Sequence, residues 1–165
     1  MDLLGALLIA GIALYLLQPD LFANILPADG QPSNLPNVPA MPDGQTSSLP
    51  NVPTSGQLTP VQIAALATNA GFAGNDLVTA VAIAYAESSG IPSKTGKLGE
   101  IGLWQIYPTM HPEFGPDFSA LYDPATNAHA AYSVYSVAGM TFRPWSTWPT
   151  LYLKYVPMVQ TALGG

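Results

Sequence analysis

Two carboxylates stand close together in the stretch "AIAYAESSGIPSKTGKLGEIGLWQIY", Ala82 to Tyr107. Glu87 ends an apolar run. Glu100 follows a loop of Ser, Gly and Lys and precedes Gly102-Leu103-Trp104-Gln105-Ile106. Carboxyl groups placed this close can do acid–base work, provided their surroundings set when each holds its proton. On a helical wheel Leu77, Val78, Ala80, Val81, Ile83, Ala84 and Tyr85 cover almost the whole circumference, and a helix apolar all round is a buried central helix. Glu87 falls near its C-terminal end. Partial burial and the negative end of the helix both disfavour the ionised form there. A carboxyl that keeps its proton near neutral pH is what a general acid requires. The competing reading makes Glu87 a solvated residue on a last turn and Glu100 a solvated loop charge.

Positioning these groups falls to a mostly helical region, residues 58–165. Thr59-Pro60-Val61-Gln62 supplies an N-cap, a proline at the first helical position and a glutamine placed for a capping box, and this helix should stop at Gly71. Asn75-Asp76 should start the next, which runs to Ser88 or Ser89 and stops at Gly90. Asp123-Pro124 should cap a third, ending near Gly139, with Asp123 itself an N-cap. Pro149 to Leu163 reads as a last helix that Pro157 kinks or splits. Strand signals are weak and confined to Ile91–Ile106. The class is therefore mostly α with at most a small β-hairpin.

Two further regions precede this one. Residues 1–26 contain "LLGALLIAGIALYLL", Leu3 to Leu17, uncharged throughout. It approaches the ~20 residues that a spanning helix needs. A cleavable signal peptide would carry a positive n-region, whereas Asp2 is the only charged side chain before the run, so a retained transmembrane anchor is expected. The first lysine is Lys94, so no nearby positive charge assigns its orientation. Residues 27–57 hold seven prolines (Pro27, Pro32, Pro36, Pro39, Pro42, Pro50 and Pro53) and no apolar periodicity. They read as a flexible tether, partly polyproline II, that at ~3 Å per residue could reach on the order of 90 Å. "LPNVP" occurs twice in it, at Leu35–Pro39 and Leu49–Pro53, which is either linker composition or a docking motif for other proteins.

Composition narrows the function. Four Lys and Arg against ten Asp and Glu give a formal charge of −6, which leaves no basic patch for nucleic acid. There is no cysteine, so disulfides and thiolate metal sites are excluded. His111 and His129 lie far apart without a clustered ligand pattern, and neither a metal nor another cofactor is expected. Glu113 and Asp117 lie in a "HPEFGPDF" loop that supports no motif.

The double motif "AIAYAESSG…GEIGLWQI" resembles the lysozyme-like superfamily, in particular soluble lytic transglycosylase and phage muralytic domains. There a Glu followed by Ser and Gly ends a buried helix, and a Gly-x-x-Gly-Leu-(Met/Trp)-Gln-(Ile/Leu) segment lines the sugar cleft. Gly99, Gly102, Leu103, Trp104, Gln105 and Ile106 match that segment, and "DPATNAHAAY" and "PWSTW" resemble later parts of the domain. The resemblance covers roughly residues 58–155 and implies a lysozyme-like α(+β) fold acting on peptidoglycan glycan strands. It implies that Glu87 protonates the oxygen of the β-1,4 bond between N-acetylmuramic acid and N-acetylglucosamine. Ser88, Ser89 and Gly90 would let a sugar chain approach. Gln105 would bond sugar amides or hydroxyls, or else loop backbone. Trp104 would be a sugar platform, or else core, and Gly102 belongs to the same segment. Trp145 and Trp148 read first as packing residues.

Two chemistries follow from the resemblance. In animal-type lysozymes a similar acid-x-Gly-x-x-Gln-Ile segment carries the second carboxylate, here Glu100. Lytic transglycosylases use one Glu as acid and then base, while the muramic 6-hydroxyl closes a 1,6-anhydro ring. Their later Ala-Tyr-Asn-Ala-Gly motif is missing here; "AAYSVYSVAG" offers Tyr132 or Tyr135 as the hydroxyl that usually bonds the Glu. The expected protein is a membrane-anchored lytic transglycosylase of a phage virion, held in the virion membrane and opening the wall locally. A bacterial inner membrane facing the periplasm is the alternative location. A Glu87/Glu100 muramidase and a catalytically silent wall-binding module are the alternative functions.

Overall fold

The computed structural model describes residues 52–111 and 118–164. The expected anchor and most of the tether lie outside these residues, as do Glu113 and Asp117. Among the described residues no helix is long and apolar enough to cross a membrane.

Four α-helices are present: α1 (Pro60–Ala70), α2 (Gly74–Ser88), α3 (Pro124–Val137) and α4 (Val156–Ala162). The capping box of α1 forms as its sequence requires. The Thr59 hydroxyl accepts from the Gln62 amide, and the Gln62 side chain accepts from the Thr59 amide. Gly71, at φ 121°, ends the helix. The second helix starts a residue earlier than the Asn75-Asp76 signal suggests. Ala73 is its N-cap and makes no side-chain capping bond. Asp123 caps α3 by accepting from the Thr126 amide at 2.8 Å. Pro157 splits the last element: a 3₁₀ turn over Leu151–Lys154 precedes α4, and the proline occupies the first turn of α4, where its missing N–H has no helical partner to lose.

Helix α2 is the central element. It packs on α1, on the 3₁₀ turn at 151–154 and on α4, while α1 also packs on α3 and α4. Ala80, Val81, Ala82, Ile83 and Ala84 are wholly buried, so the all-round apolar run is inside as its pattern demands. The expected hairpin reduces to isolated antiparallel bridges, Thr95 with Ile101 and Ile101 with Ile106. The second is a reciprocal pair of N–H···O bonds at 2.9 Å. The positive φ of Gly99 (91°), Gly102 (82°) and Gln105 (48°) turns the chain too sharply for a longer ladder.

The Gly-Leu-Trp-Gln-Ile stretch is bound to α2 and α3 from inside. Trp104 has no exposed surface. Its indole N–H donates to Ala80 O at 2.9 Å, and its amide donates to Asn127 Oδ1 at 2.9 Å. Asn127, also fully buried, donates through Nδ2 to Ile101 O and Leu121 O, both at 2.9 Å. Every polar atom of that carboxamide is engaged, as burial requires. A buried indole removes ~150–250 Å² from water, an upper bound of roughly 4–6 kcal/mol. Gly102 lies directly on the Asn127 carboxamide; a Cβ there would stand 2.3 Å from Nδ2.

Candidate active site

Glu87 occupies the last turn of α2 and is half-buried. Its Oε1 accepts from the Thr147 hydroxyl at 2.8 Å. Burial pushes the carboxyl pKa up, and the Glu100 charge adds to the rise. Hydrogen bonds from Thr147 and the Lys94 charge oppose it without cancelling it. The group thus has the raised proton affinity expected of it, for the first of the two reasons given above.

Thr147 reaches Glu87 because "PWSTW" is tied to the core. The Trp145 indole N–H donates to Trp104 O at 2.8 Å, and the Trp148 amide closes a turn onto Trp145 O at 3.1 Å. Thr147, between the two tryptophans, is buried and points its hydroxyl at the glutamate. Sequence reasoning missed this residue. Sixty positions separate it from Glu87, and no local pattern marks it.

Lys94 joins the helix end to the loop. Its Nζ donates to the Glu87 carbonyl at 2.8 Å, satisfying an acceptor that α2 leaves unpaired at its terminus. Its own carbonyl accepts from the Gly102 amide at 2.9 Å and from Gln105 Nε2 at 3.2 Å. Gln105 Nε2 also donates to Gly102 O at 2.8 Å, so this carboxamide bonds loop backbone, the second of its two expected roles.

Glu100 is held in a tight turn. Its Oε2 accepts from the Leu98 amide at 3.0 Å, and its main-chain carbonyl accepts from the Gly96 amide at 2.7 Å. The carboxylate rests against Gly96, where a Cβ would stand 2.1 Å from Oε2 and 2.7 Å from Gln105 Oε1. The absence of a side chain at position 96 makes room for both groups. The Glu100 charge lies near enough to raise the Glu87 pKa, a smaller effect than burial.

Several expected contacts fall elsewhere. Trp104 is core and cannot stack on a sugar, because neither face is exposed. The Ser88 side chain is buried and spent locally: its hydroxyl donates to Ala84 O at 2.8 Å and accepts from the Gly90 amide at 3.1 Å. Gly102 is buried under Asn127 and offers no surface. Tyr132 packs edge-on against Phe72, 5.0 Å between centroids, beyond the start of α2. Tyr135 donates to Asp76 Oδ2 at 2.6 Å. Asp76 and Glu87 lie at opposite ends of α2, roughly 16 Å apart at 1.5 Å per residue, so neither tyrosine bonds the glutamate. Thr147 fills that role. Ser89 is exposed in the left-handed conformation just past α2 and remains available to a ligand beside Glu87.

These parts make a half-buried acid, a hydroxyl that orients it, a lysine bracing the helix end and a second carboxylate across the loop. A family model described as a lysozyme-like domain matches residues 64–147, just over half of the 165-residue chain. The chain belongs to that family. The match spans Glu87, Lys94, Glu100, Asn127 and Thr147. No curated protein and no solved structure gives a significant match.

Proposed function

We propose that this protein cleaves the β-1,4 bond between N-acetylmuramic acid and N-acetylglucosamine in peptidoglycan, as a membrane-anchored lytic transglycosylase. The observation that carries the reading is Glu87: half-buried, hydrogen-bonded to Thr147 through one carboxyl oxygen, with its pKa raised by burial. With Oε1 engaged by Thr147, Oε2 is the oxygen that carries the proton to the glycosidic oxygen as the C–O bond breaks. The resulting carboxylate then takes the proton of the muramic 6-hydroxyl as that oxygen closes the anhydro ring. The charge and the proton balance on one residue.

A second reading has a specific observation behind it. Glu100 is seated on Gly96, held by the Leu98 amide, and acts electrostatically on Glu87. A carboxylate so placed could activate water, which would make the enzyme a muramidase with a reducing-end product.

Mass spectrometry of muropeptides released from purified walls tests both readings, with Glu87→Gln as control. Anhydro-muramic products that vanish in Glu87→Gln support the transglycosylase. Reducing-end products that vanish support the muramidase. Binding to walls without release of products by the native protein sinks both and leaves a silent wall-binding module.

The setting is proposed from sequence. The apolar run Leu3–Leu17 and the Pro-rich tether would hold the domain near a membrane and raise its effective concentration at the wall. That arrangement suits a phage particle opening one hole during entry, with the tether open to other virion proteins. Presence of the protein in purified particles is the expected result; expression confined to a host envelope operon would overturn it.

A further inference from the structure

The residues just before α1 are bound to the C-terminal end of α2, the end that carries Glu87. Leu58 is buried; its amide donates to Gly90 O at 2.8 Å, and its carbonyl accepts from the Tyr85 hydroxyl. Burial pushes the pKa of that hydroxyl up, so it stays a donor. The approach is close: a Cβ on Gly90 would stand 3.1 Å from Leu58 O and 3.2 Å from the Tyr85 ring. Beside this contact, Gln57 Nε2 donates to Ser89 O at 2.8 Å, across 32 residues of sequence. Farther back, Val52 is half-buried against the core.

An α-helix leaves its last carbonyls without helical partners. Here each carbonyl from Glu87 to Gly90 receives a donor. Lys94 Nζ supplies Glu87 O, the Ile91 amide supplies Ser88 O at 3.3 Å, Gln57 supplies Ser89 O and the Leu58 amide supplies Gly90 O. Gln57 is the one exposed side chain among these donors. It acts where the backbone most needs a partner. Ser89 adopts φ 59°, ψ 27°, a left-handed conformation that serine rarely takes, while its amide closes the last turn of α2 on Tyr85 O at 2.9 Å. If Ser89 relaxed to a commoner φ, its carbonyl would leave Gln57. The turn that carries Glu87, two residues back, would then loosen.

We propose that Gln57 is a positioning residue for the Glu87 acid. By holding Ser89 O it keeps the last turn of α2 wound and the carboxyl within reach of the Thr147 hydroxyl. The inference rests on the catalytic role proposed for Glu87 above. Gln57 precedes residues 64–147, which the family model matches, so the contact comes from the segment flanking the family domain.

Two measurements on the full-length protein test it. Amide hydrogen exchange follows Ser89, with the Asn127 amide, bonded to Asp123 O in α3, as the reference for overall stability. Digestion rates across a range of wall concentrations separate kcat from KM. Gln57→Met keeps the length and removes the donor, whereas Gln57→Lys keeps a donor within reach. In Gln57→Met, Ser89 exchange should rise and kcat should fall, each by roughly 3- to 10-fold, the worth of one neutral hydrogen bond, with KM and Asn127 exchange unchanged. Gln57→Lys should restore both. Unchanged Ser89 exchange, faster exchange with native kcat, a loss confined to KM, or a Gln57→Lys protein as impaired as Gln57→Met would overturn the proposal. A native protein that leaves walls intact would overturn the enzymatic reading. Faster Ser89 exchange in Gln57→Met would then still uphold the hold of Gln57 on the turn, and unchanged exchange would overturn that as well.

Discussion

The Thr147 hydroxyl donates to Glu87 Oε1 at 2.8 Å, across sixty residues of sequence. This bond favours the ionised carboxyl and so works against the burial that raises its pKa. Removing it has two separable effects. Thr147→Val should let the carboxyl rotate away from the productive pose and lower wall cleavage by roughly 10- to 100-fold, the worth of a hydrogen bond to a charged group. It should also move the high-pH limb of the activity profile upward, because the acid holds its proton longer. Thr147→Ser should restore both. A profile that does not move in Thr147→Val would limit Thr147 to packing.

Glu87 should trade stability for activity. Its folded pKa lies above its ordinary 4.5, so the folded state holds the proton more tightly than the unfolded chain does. Stability tied to this group is complete below about 4.5 and is lost as pH rises through the raised folded value. Glu87→Gln escapes that loss. It should cut activity by about 10²- to 10⁴-fold, yet resist urea better than the native protein at pH 7, with the two curves converging at about pH 4. Urea titrations at both pH values check the crossover.

Glu100 raises the Glu87 pKa, and so its neutralisation has a definite sign. Glu100→Gln should shift the high-pH limb of cleavage downward. For a transglycosylase the rate at low pH should stay within a few-fold of native; for a muramidase it should fall by about 10²-fold or more. Gly96→Ala reports on the same carboxylate by another route, since the new methyl would stand 2.1 Å from Oε2 and must displace it. The two variants should give matching pH profiles.

Asn127 ties the interior together through three buried hydrogen bonds. Asn127→Ala strands the Trp104 amide and two carbonyls, those of Ile101 and Leu121, in the interior. At ~1–3 kcal/mol for each unsatisfied group, a loss of at least about 3 kcal/mol is expected. Urea denaturation followed by tryptophan fluorescence measures it.

The helices could be read from the sequence because their signals are local: Thr59 with Gln62, Asp123 with Pro124, and the all-round apolar run from Ala80 to Ala84. The partial burial of Glu87 could be read because its position at the end of that run fixes its surroundings. Thr147 could not, since its role depends on how a distant turn docks on Trp104. Tyr132 was expected near Glu87 by resemblance alone, and helix geometry carries it to the other end of α2. Trp104 and Gln105 had two readings each in sequence. Burial decided the first and two backbone carbonyls the second, and neither is visible before the chain folds.

The interior position of Trp104 changes what the Gly-Leu-Trp-Gln-Ile signature can tell about any relative. Gly102 leaves room for Asn127, Trp104 fills the middle, and Gln105 knots the loop to itself. All three serve architecture, so a descendant that had abandoned chemistry would still need them. A search tuned to that signature recovers chains that fold this way. If Glu87 and Thr147 carry the proposed cleavage, telling cutters from non-cutters falls to the hydrogen bond between those two residues rather than to the signature.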